Sequence, residues 1–239
     1  MIYFSMDIEK YYLHDNLNYN YFESLSPSQF EEERRRNQLI LKFAKLTRDK
    51  TIIDIGTGPG WLPRLASKYT KNVYSVDLSD RQLKLAEKYI GKANFTFRKG
   101  SFYKIPTRDS SFDVVVASEV LEHLETPKKA LKEAHRILKD DGTLIITVPY
   151  KEKIKYVTCM HCYKLTSVNG HLHSFDIRSL RKLLHDSGFY IVRYKLFNSK
   201  FTSLLGLNRF LHFLPLSAWL FIDKICGKHN KILIEAKII

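Results

Sequence analysis

IIDIGTGPG, residues 52–60, reads as a short buried strand that turns sharply into a helix. Ile52, Ile53 and Ile55 surround one acid, Asp54, and Gly56, Gly58 and Gly60 follow at alternate positions. A tight strand-to-helix turn needs backbone angles that side chains disfavour, and a ligand approaching the main chain must not meet a Cβ. Trp61 and Pro63 then open a helix whose unpaired N–H groups suit a ligand carboxylate or phosphate. The stretch is a candidate cofactor cradle. Its G-x-G-x-G spacing argues against the dinucleotide fingerprint G-x-G-x-x-G.

Working outward, a second strand-like run, Val73 to Val76, ends in Asp77, about 20 residues after the glycine turn, where a ribose diol is commonly held. Ser79, with Gln82 three residues on, serves as the helix cap that follows, which leaves Asp77 for a ligand. Strands and helices then alternate: helix 61–69, strand 73–76, helix 80–90, strand 94–98, strand Phe112 to Ala117, a helix capped at Thr126 and opened by Pro127, and strand Leu144 to Val148 after Gly142. Ala130, Leu131, Ala134 and Leu138 form the core stripe of that helix. Asp176 caps a further helix ending at Gly188, Tyr190 to Leu196 makes a sixth strand, and ILIEAKI a last one. This alternation predicts an α/β fold with a mainly parallel sheet and helices on both faces. Before the cradle, Ser26, Pro27 and Gln29 start a helix with Leu39, Ile40, Phe43 and Leu46 along one side; residues 1–25 read as an irregular arm. Residues 149–175 and 197–230 interrupt the alternation and are expected to roof the pocket and select the substrate.

At 239 residues and 44% apolar content the chain fits one domain with additions. It shows neither a signal-peptide pattern nor an apolar run long enough to span a bilayer, which predicts a cytoplasmic protein, with peripheral contact at the inner membrane face as an addition. Three cysteines are an odd number, unsuited to a disulfide framework. A formal charge of +14 invites an anionic partner, nucleic acid or membrane. The densest basic cluster, Arg34 to Arg36, follows Glu31 to Glu33 and reads as a solvated helix face, which weakens the nucleic-acid reading.

By these motifs the chain resembles the class I S-adenosylmethionine-dependent methyltransferases, in particular the small-molecule (type 11-like) group. IIDIGTGPG, VYSVDLS, GSFYKIPTRDSSFDVVVASEVLEHL and ILKDDGTLIITVP recur in the family's order over about residues 30–196. The resemblance implies a Rossmann-like seven-stranded sheet with its last strand antiparallel. It places Asp54, Gly56, Thr57 and Gly58 around the methionine portion of the cofactor, Asp77 on the ribose hydroxyls and Leu78 beside the adenine. Ser101 falls where many members carry Asp, with Phe102 next to the ring, and Ser118 and Glu119 form the edge of the site. A serine hydroxyl accepts the same hydrogen bond from an adenine amino group but is shorter and neutral.

A sulfonium is already an activated methyl donor, so alignment and exclusion of water carry much of such a reaction. Where the acceptor is a hydroxyl, His123 is the candidate catalytic base. Cys159 and Cys162 have the spacing of a zinc hairpin, and with His171 and His173 offer four ligands for a tetrahedral zinc; in the rival reading GHLHSFD is a substrate-facing loop without metal. Residues 201–222 are rich in Leu, Phe and Trp, interrupted by Pro215, and read either as cap helices packed on the sheet or as a lid for a hydrophobic acceptor. Together these features predict methyl transfer to oxygen or carbon of a small-molecule or lipid-linked acceptor. An RNA-directed methyltransferase and a non-catalytic cofactor-binding relative are the alternatives. Against the first stands ASEVLEHL, which lacks the Asn/Asp-Pro-Pro-aromatic motif of base amino methyltransferases.

Overall fold

A computed structural model describes residues 25–90, 95–160, 163 and 165–239, so most of the N-terminal arm lies outside the described residues. The first element of the described residues is α1 (Pro27–Ala44), started by the expected capping box: Gln29 N–H donates to Ser26 Oγ and the Gln29 side chain accepts from Ser26 N–H. It stops at Lys45, whose left-handed backbone closes the last turn. There follow β1 (Thr51–Ile55), α2 (Trp61–Ala66), β2 (Asn72–Asp77), α3 (Asp80–Ile90), β3 (Phe95–Lys99), β4 (Phe112–Ser118), a 3-10 turn (Leu121–His123), α4 (Pro127–Ile137) and β5 (Leu138–Pro149). The remainder is a hairpin β6 (Tyr156–Thr158) and β7 (Leu165–Ser167), then α5 (Ile177–His185), β8 (Phe189–Ser199), α6 (Lys200–Leu204), α7 (Leu207–Phe210), α8 (Leu216–Cys226) and β9 (His229–Ile238).

Seven strands form one sheet in the order β3-β2-β1-β4-β5-β9-β8. β1, β2, β3, β4 and β5 pair in parallel, and β9 runs antiparallel to both β5 and β8. The expected sheet with its last strand antiparallel is therefore present. Both faces are covered, and the continuous apolar runs show why: successive residues serve opposite cores. Ile53 and Ile55 of β1, Val115 and Ala117 of β4 and Leu144, Ile146 and Val148 of β5 pack with Ala130, Leu131 and Ala134 of α4 and Leu180 and Leu184 of α5. Ile52, Val114, Val116 and Ile145 point the other way, to Leu39, Ile40 and Phe43 of α1, Leu62 of α2 and Trp219 of α8.

Several boundaries differ from expectation. α2 stops at Ala66, and α4 ends at Ile137, so Leu138 begins a longer β5 and reaches the core as a strand residue. Thr126 makes no side-chain cap bond; its N–H instead donates to Tyr103 Oη at 3.1 Å. The cluster Glu31 to Arg36 is not a solvated face. Arg35 is 1% exposed, lies 4.8 Å over the Trp219 ring and donates to the Leu211 carbonyl at 2.5 Å. Glu32 accepts from Ser203 Oγ, Asn208 Nδ2 and Asn198 Nδ2. These charges clamp α1 to the segment after β8, and burial brings the Arg35 guanidinium down to about 10.

Gly60 opens α2 at φ +89, and a Cβ there would stand 2.4 Å from Ile90 Cδ1 and 2.9 Å from Ala86 Cβ. Left-handed strain and overpacking add, so Gly60→Ala is expected to cost about 2 kcal/mol and to lower Tm by about 5 °C in a thermal melt. An unchanged melting curve would show that α2 and α3 separate without cost.

Candidate functional site

The site lies beyond the carboxyl ends of β1, β2 and β4, the usual place for ligands in such sheets. After β1 the chain turns over the end of β2, with Gly56 N–H and Thr57 N–H both donating to the Val76 carbonyl at 2.8 and 3.2 Å. Gly56 (φ +73) is pressed against Val120, whose Cγ2 would lie 2.6 Å from an added Cβ. At Gly58 (φ +50) no atom of the described residues stands within 4 Å of where a Cβ would be. The first glycine joins the β1 and β4 turns; the second leaves backbone open to a ligand.

Two carboxylates close the cradle. Asp54 is buried and accepts from Thr57 Oγ1 at 2.8 Å. Asp77 accepts from Gly58 N–H and Ser79 N–H, each at 2.9 Å, while Ser79 Oγ caps α3 at Gln82 N. Burial raises Asp54 to about 7, with the neighbouring charge of Asp77 adding to it and Thr57 and Arg36 opposing it. Asp77 is raised too, chiefly by burial, against hydrogen bonds from Ser79 and Gly58. A buried acid beside a half-buried one suits a ligand that brings a positive charge and hydroxyl donors. The amino acid and ribose of S-adenosylmethionine bring both, so the residues fit that cofactor.

The remaining residues expected at the cofactor are placed as follows. Leu78 is half-buried beyond β2. Ser101 Oγ accepts from Tyr103 N–H at 3.3 Å. Phe102 is 4% exposed and belongs to the core with Val76 and Ile105. Ser118 Oγ bonds Thr147 Oγ1 at 2.9 Å, which in turn donates to Glu119 at 3.0 Å. Lys231 of β9 donates to Glu119, and Arg36 stands 3.8 Å from it. Burial would push Glu119 up, but Lys231 and Arg36 bring it down to about 2, so it is ionised and internally paired.

A second group of titratable side chains follows β4. The segment carrying Leu172 and His173 is pinned to the 3-10 turn by both N–H groups, which donate to the Glu122 carbonyl at 2.7 and 3.2 Å. His173 Nε2–H donates to the Leu124 carbonyl at 2.8 Å, and its ring stacks on Phe175. This brings His171 edge-on to His123, with ring centroids 4.6 Å apart. His171 Nδ1 bonds Glu152 Oε2 at 2.5 Å, and His123 Nδ1 bonds the Gly170 carbonyl at 3.4 Å. Glu122 is 1% exposed; burial, then the charge of Glu119, pushes its carboxyl well above the usual range. Burial, then His171, lowers His123 to about 4, so its ring is neutral at physiological pH. Sequence reasoning named His123 and His171 but missed Glu122 and Glu152; the only signal for Glu122 was its place beside His123 after β4.

Of the four residues read as a zinc set, Cys162 lies outside the described residues. Cys159 sits at the turn of the exposed β6–β7 hairpin. Among the described residues, His171 groups with Glu122 and His123 as possible metal ligands, and neither Cys159 nor His173 joins that group.

A family model described as a methyltransferase domain matches residues 53–146, from the cradle strand through β5. Among curated relatives, the chain is 28% identical over 115 residues to an uncharacterized methyltransferase, YcgJ, of Bacillus subtilis, covering 47% of this chain and 46% of the relative. It is 29% identical over 112 residues to the ubiquinone biosynthesis O-methyltransferase of Nitrosomonas europaea, covering 46% and 48%. The matches thus span about half the length of these relatives. A solved S-adenosylmethionine-dependent methyltransferase from Aquifex aeolicus shares the fold with a TM-score of 0.60 at 20% identity, over 90% of this chain and 100% of that one. The matched domain, the sheet order and the glycine turn agree: residues 53–146 are similar to a methyltransferase domain, and the sheet is the Rossmann-like fold of solved methyltransferases.

Proposed function

We propose that the protein transfers a methyl group from S-adenosylmethionine to oxygen or carbon of a small-molecule or lipid-linked acceptor. The observation that carries this reading is the pair of neighbouring carboxylates at the glycine turn, Asp54 buried and bonded to Thr57, Asp77 half-buried and bonded to Gly58 N–H. Asp54 holds the amino group of the cofactor, Asp77 the ribose hydroxyls, the backbone at Gly56, Thr57 and Gly58 the methionine portion, and Leu78 and Ser101 the adenine. When bound, the cofactor supplies an activated methyl on a sulfonium. Glu119, tied to Lys231 and Arg36, fixes the edge of the site, and Glu122, His123 and His171 face the acceptor side.

A hydrophobic acceptor is favoured by the segment after β8. Leu204, Leu205, Phe210, Phe213 and Phe221 are all more than half exposed, while Trp219 anchors the segment to the core. An apolar surface on a chain of charge +14 is suited to an acceptor presented at an anionic bilayer. Among the described residues no helix is long and apolar enough to cross a membrane.

Calorimetric titration with S-adenosylmethionine tests the reading and carries a pH signature. Ligand-free Asp54 is half protonated near pH 7 and must ionise against an ammonium group. Affinity should therefore fall about tenfold between pH 8 and pH 6, with proton release that appears as a buffer-dependent enthalpy at pH 6. Absence of binding at both pH values would overturn the proposal. Methyl transfer to water-soluble acceptors only, with none to isoprenoid or acyl ones, would remove the lipid-linked class.

A further inference from the structure

We propose that Glu122, His123 and His171 bind one first-row divalent metal ion, with two imidazoles and one carboxylate as ligands, beside the cofactor cradle. One nitrogen or oxygen from each residue lies within 4.8 Å of the other two, so small side-chain adjustments bring all three to metal–ligand distances of about 2.0–2.2 Å. Glu122 is 1% exposed, and among the described residues neither of its carboxylate oxygens has a hydrogen-bond partner. A buried acid with no partner is costly to hold, and a dication between it and two histidines offsets that cost.

The imidazoles are already oriented as ligands. A carbonyl only accepts, so His123 Nδ1–H is the donor to Gly170 O, and the neutral ring carries its lone pair on Nε2. Glu152 likewise takes Nδ1–H of His171, which makes Nε2 the ligating nitrogen there too. A second carboxylate or carbonyl behind each ring is the arrangement that fixes tautomer and direction in metal-binding histidines. The backbone is fixed as well: the Glu122 carbonyl takes two N–H bonds from the segment that carries His171. Two nitrogens and one carboxylate select zinc, iron(II), cobalt or manganese over calcium and magnesium, which prefer oxygen.

Three protein ligands leave coordination positions open. Resting on the methyl-transfer reading, those positions take a hydroxyl oxygen of the acceptor. An oxygen held there gives its proton to solvent nearer neutral pH, so His123 serves as a ligand and no side-chain base is needed.

The test uses the full chain, treated with chelator and titrated with cobalt(II), with d–d absorption as the readout and S-adenosylmethionine affinity measured calorimetrically on the same samples. One cobalt per chain is expected. Glu122→Gln and His171→Ala should each weaken it at least about 100-fold while thermal melting and cofactor binding persist. The double substitution Cys159→Ser and Cys162→Ser should leave cobalt binding unchanged. Failure of the wild-type chain to bind cobalt, equal affinity in Glu122→Gln, or loss of cobalt in the cysteine variant would each overturn the site. Cofactor binding that survives such a result would leave the methyl-transfer reading standing, whereas loss of both would not.

Discussion

Asp77→Ala is expected to weaken S-adenosylmethionine binding by roughly 100- to 1000-fold while the protein still folds. The carboxylate offers lone pairs to two vicinal hydroxyls, and charge-assisted hydrogen bonds of this kind contribute about 1.5–3 kcal/mol each. It also holds the turn, since Gly58 N–H and Ser79 N–H both donate to it. Removing it therefore loosens the cradle as well as the ribose contact. Asp77→Asn separates the two effects: its amide oxygen still accepts one N–H bond, so it should lose less affinity than alanine. Calorimetry with S-adenosylhomocysteine, which lacks the sulfonium charge, should show the same ratio between the variants. Affinity unchanged in Asp77→Ala would sink the ribose assignment.

Asp54→Asn should lose cofactor affinity by about 100-fold or more and, at pH 8, make the ligand-free protein more stable. The sign follows from burial. Asp54 in the folded chain is raised to about 7, whereas in the unfolded chain it ionises near 4. An acid with a raised folded pKa favours the folded state at low pH, and that contribution is lost as pH rises from about 4 through about 7. At about 1.4 kcal/mol per unit the loss amounts to about 4 kcal/mol, an upper bound for what asparagine recovers. Asparagine keeps the acceptor for Thr57 Oγ1 and removes the charge. Denaturant unfolding at pH 5 and pH 8 should show a gap between variant and wild type that widens with pH. A gap independent of pH would mean that Asp54 is already ionised in the ligand-free state.

The sheet was legible because parallel strands buried on both faces read as continuous apolar runs, as in Val114 to Ala117 of β4. The glycine turn was legible because tight turns demand glycine, with one acid, Asp54, just before it and another, Asp77, at the end of the next strand. What was hidden depended on contacts between distant segments. Glu31 to Arg36 has the composition of an exposed helix face, and only the packing of α7 and α8 against α1 buries Arg35. His171 meets His123 because backbone bonds fold its loop onto the turn after β4, a closure with no local signature. The segment 201–222 looked like a core contributor by composition. Chiefly Trp219 fills that role, because three short helices broken by Gly206 and Pro215 cannot present one continuous apolar face.

The placement of β9 between β5 and β8 has a consequence for how the chain is made. Among the described residues β8 has no neighbour in the sheet except β9, and β5 keeps an open edge until β9 arrives. On the ribosome, strands β1 to β5 can therefore pair as they emerge, but β8 must wait unpaired through residues 200–228 until β9 follows. Throughout that interval the growing chain exposes two hydrogen-bonding edges flanked by apolar helices, the condition under which nascent proteins stick to one another. Lys231, which neutralises Glu119, arrives in the same strand, so the pocket gains its charge balance at the moment the edge is sealed. Translation speed and chaperone capture over residues 200–238 thus bear directly on the yield of folded protein.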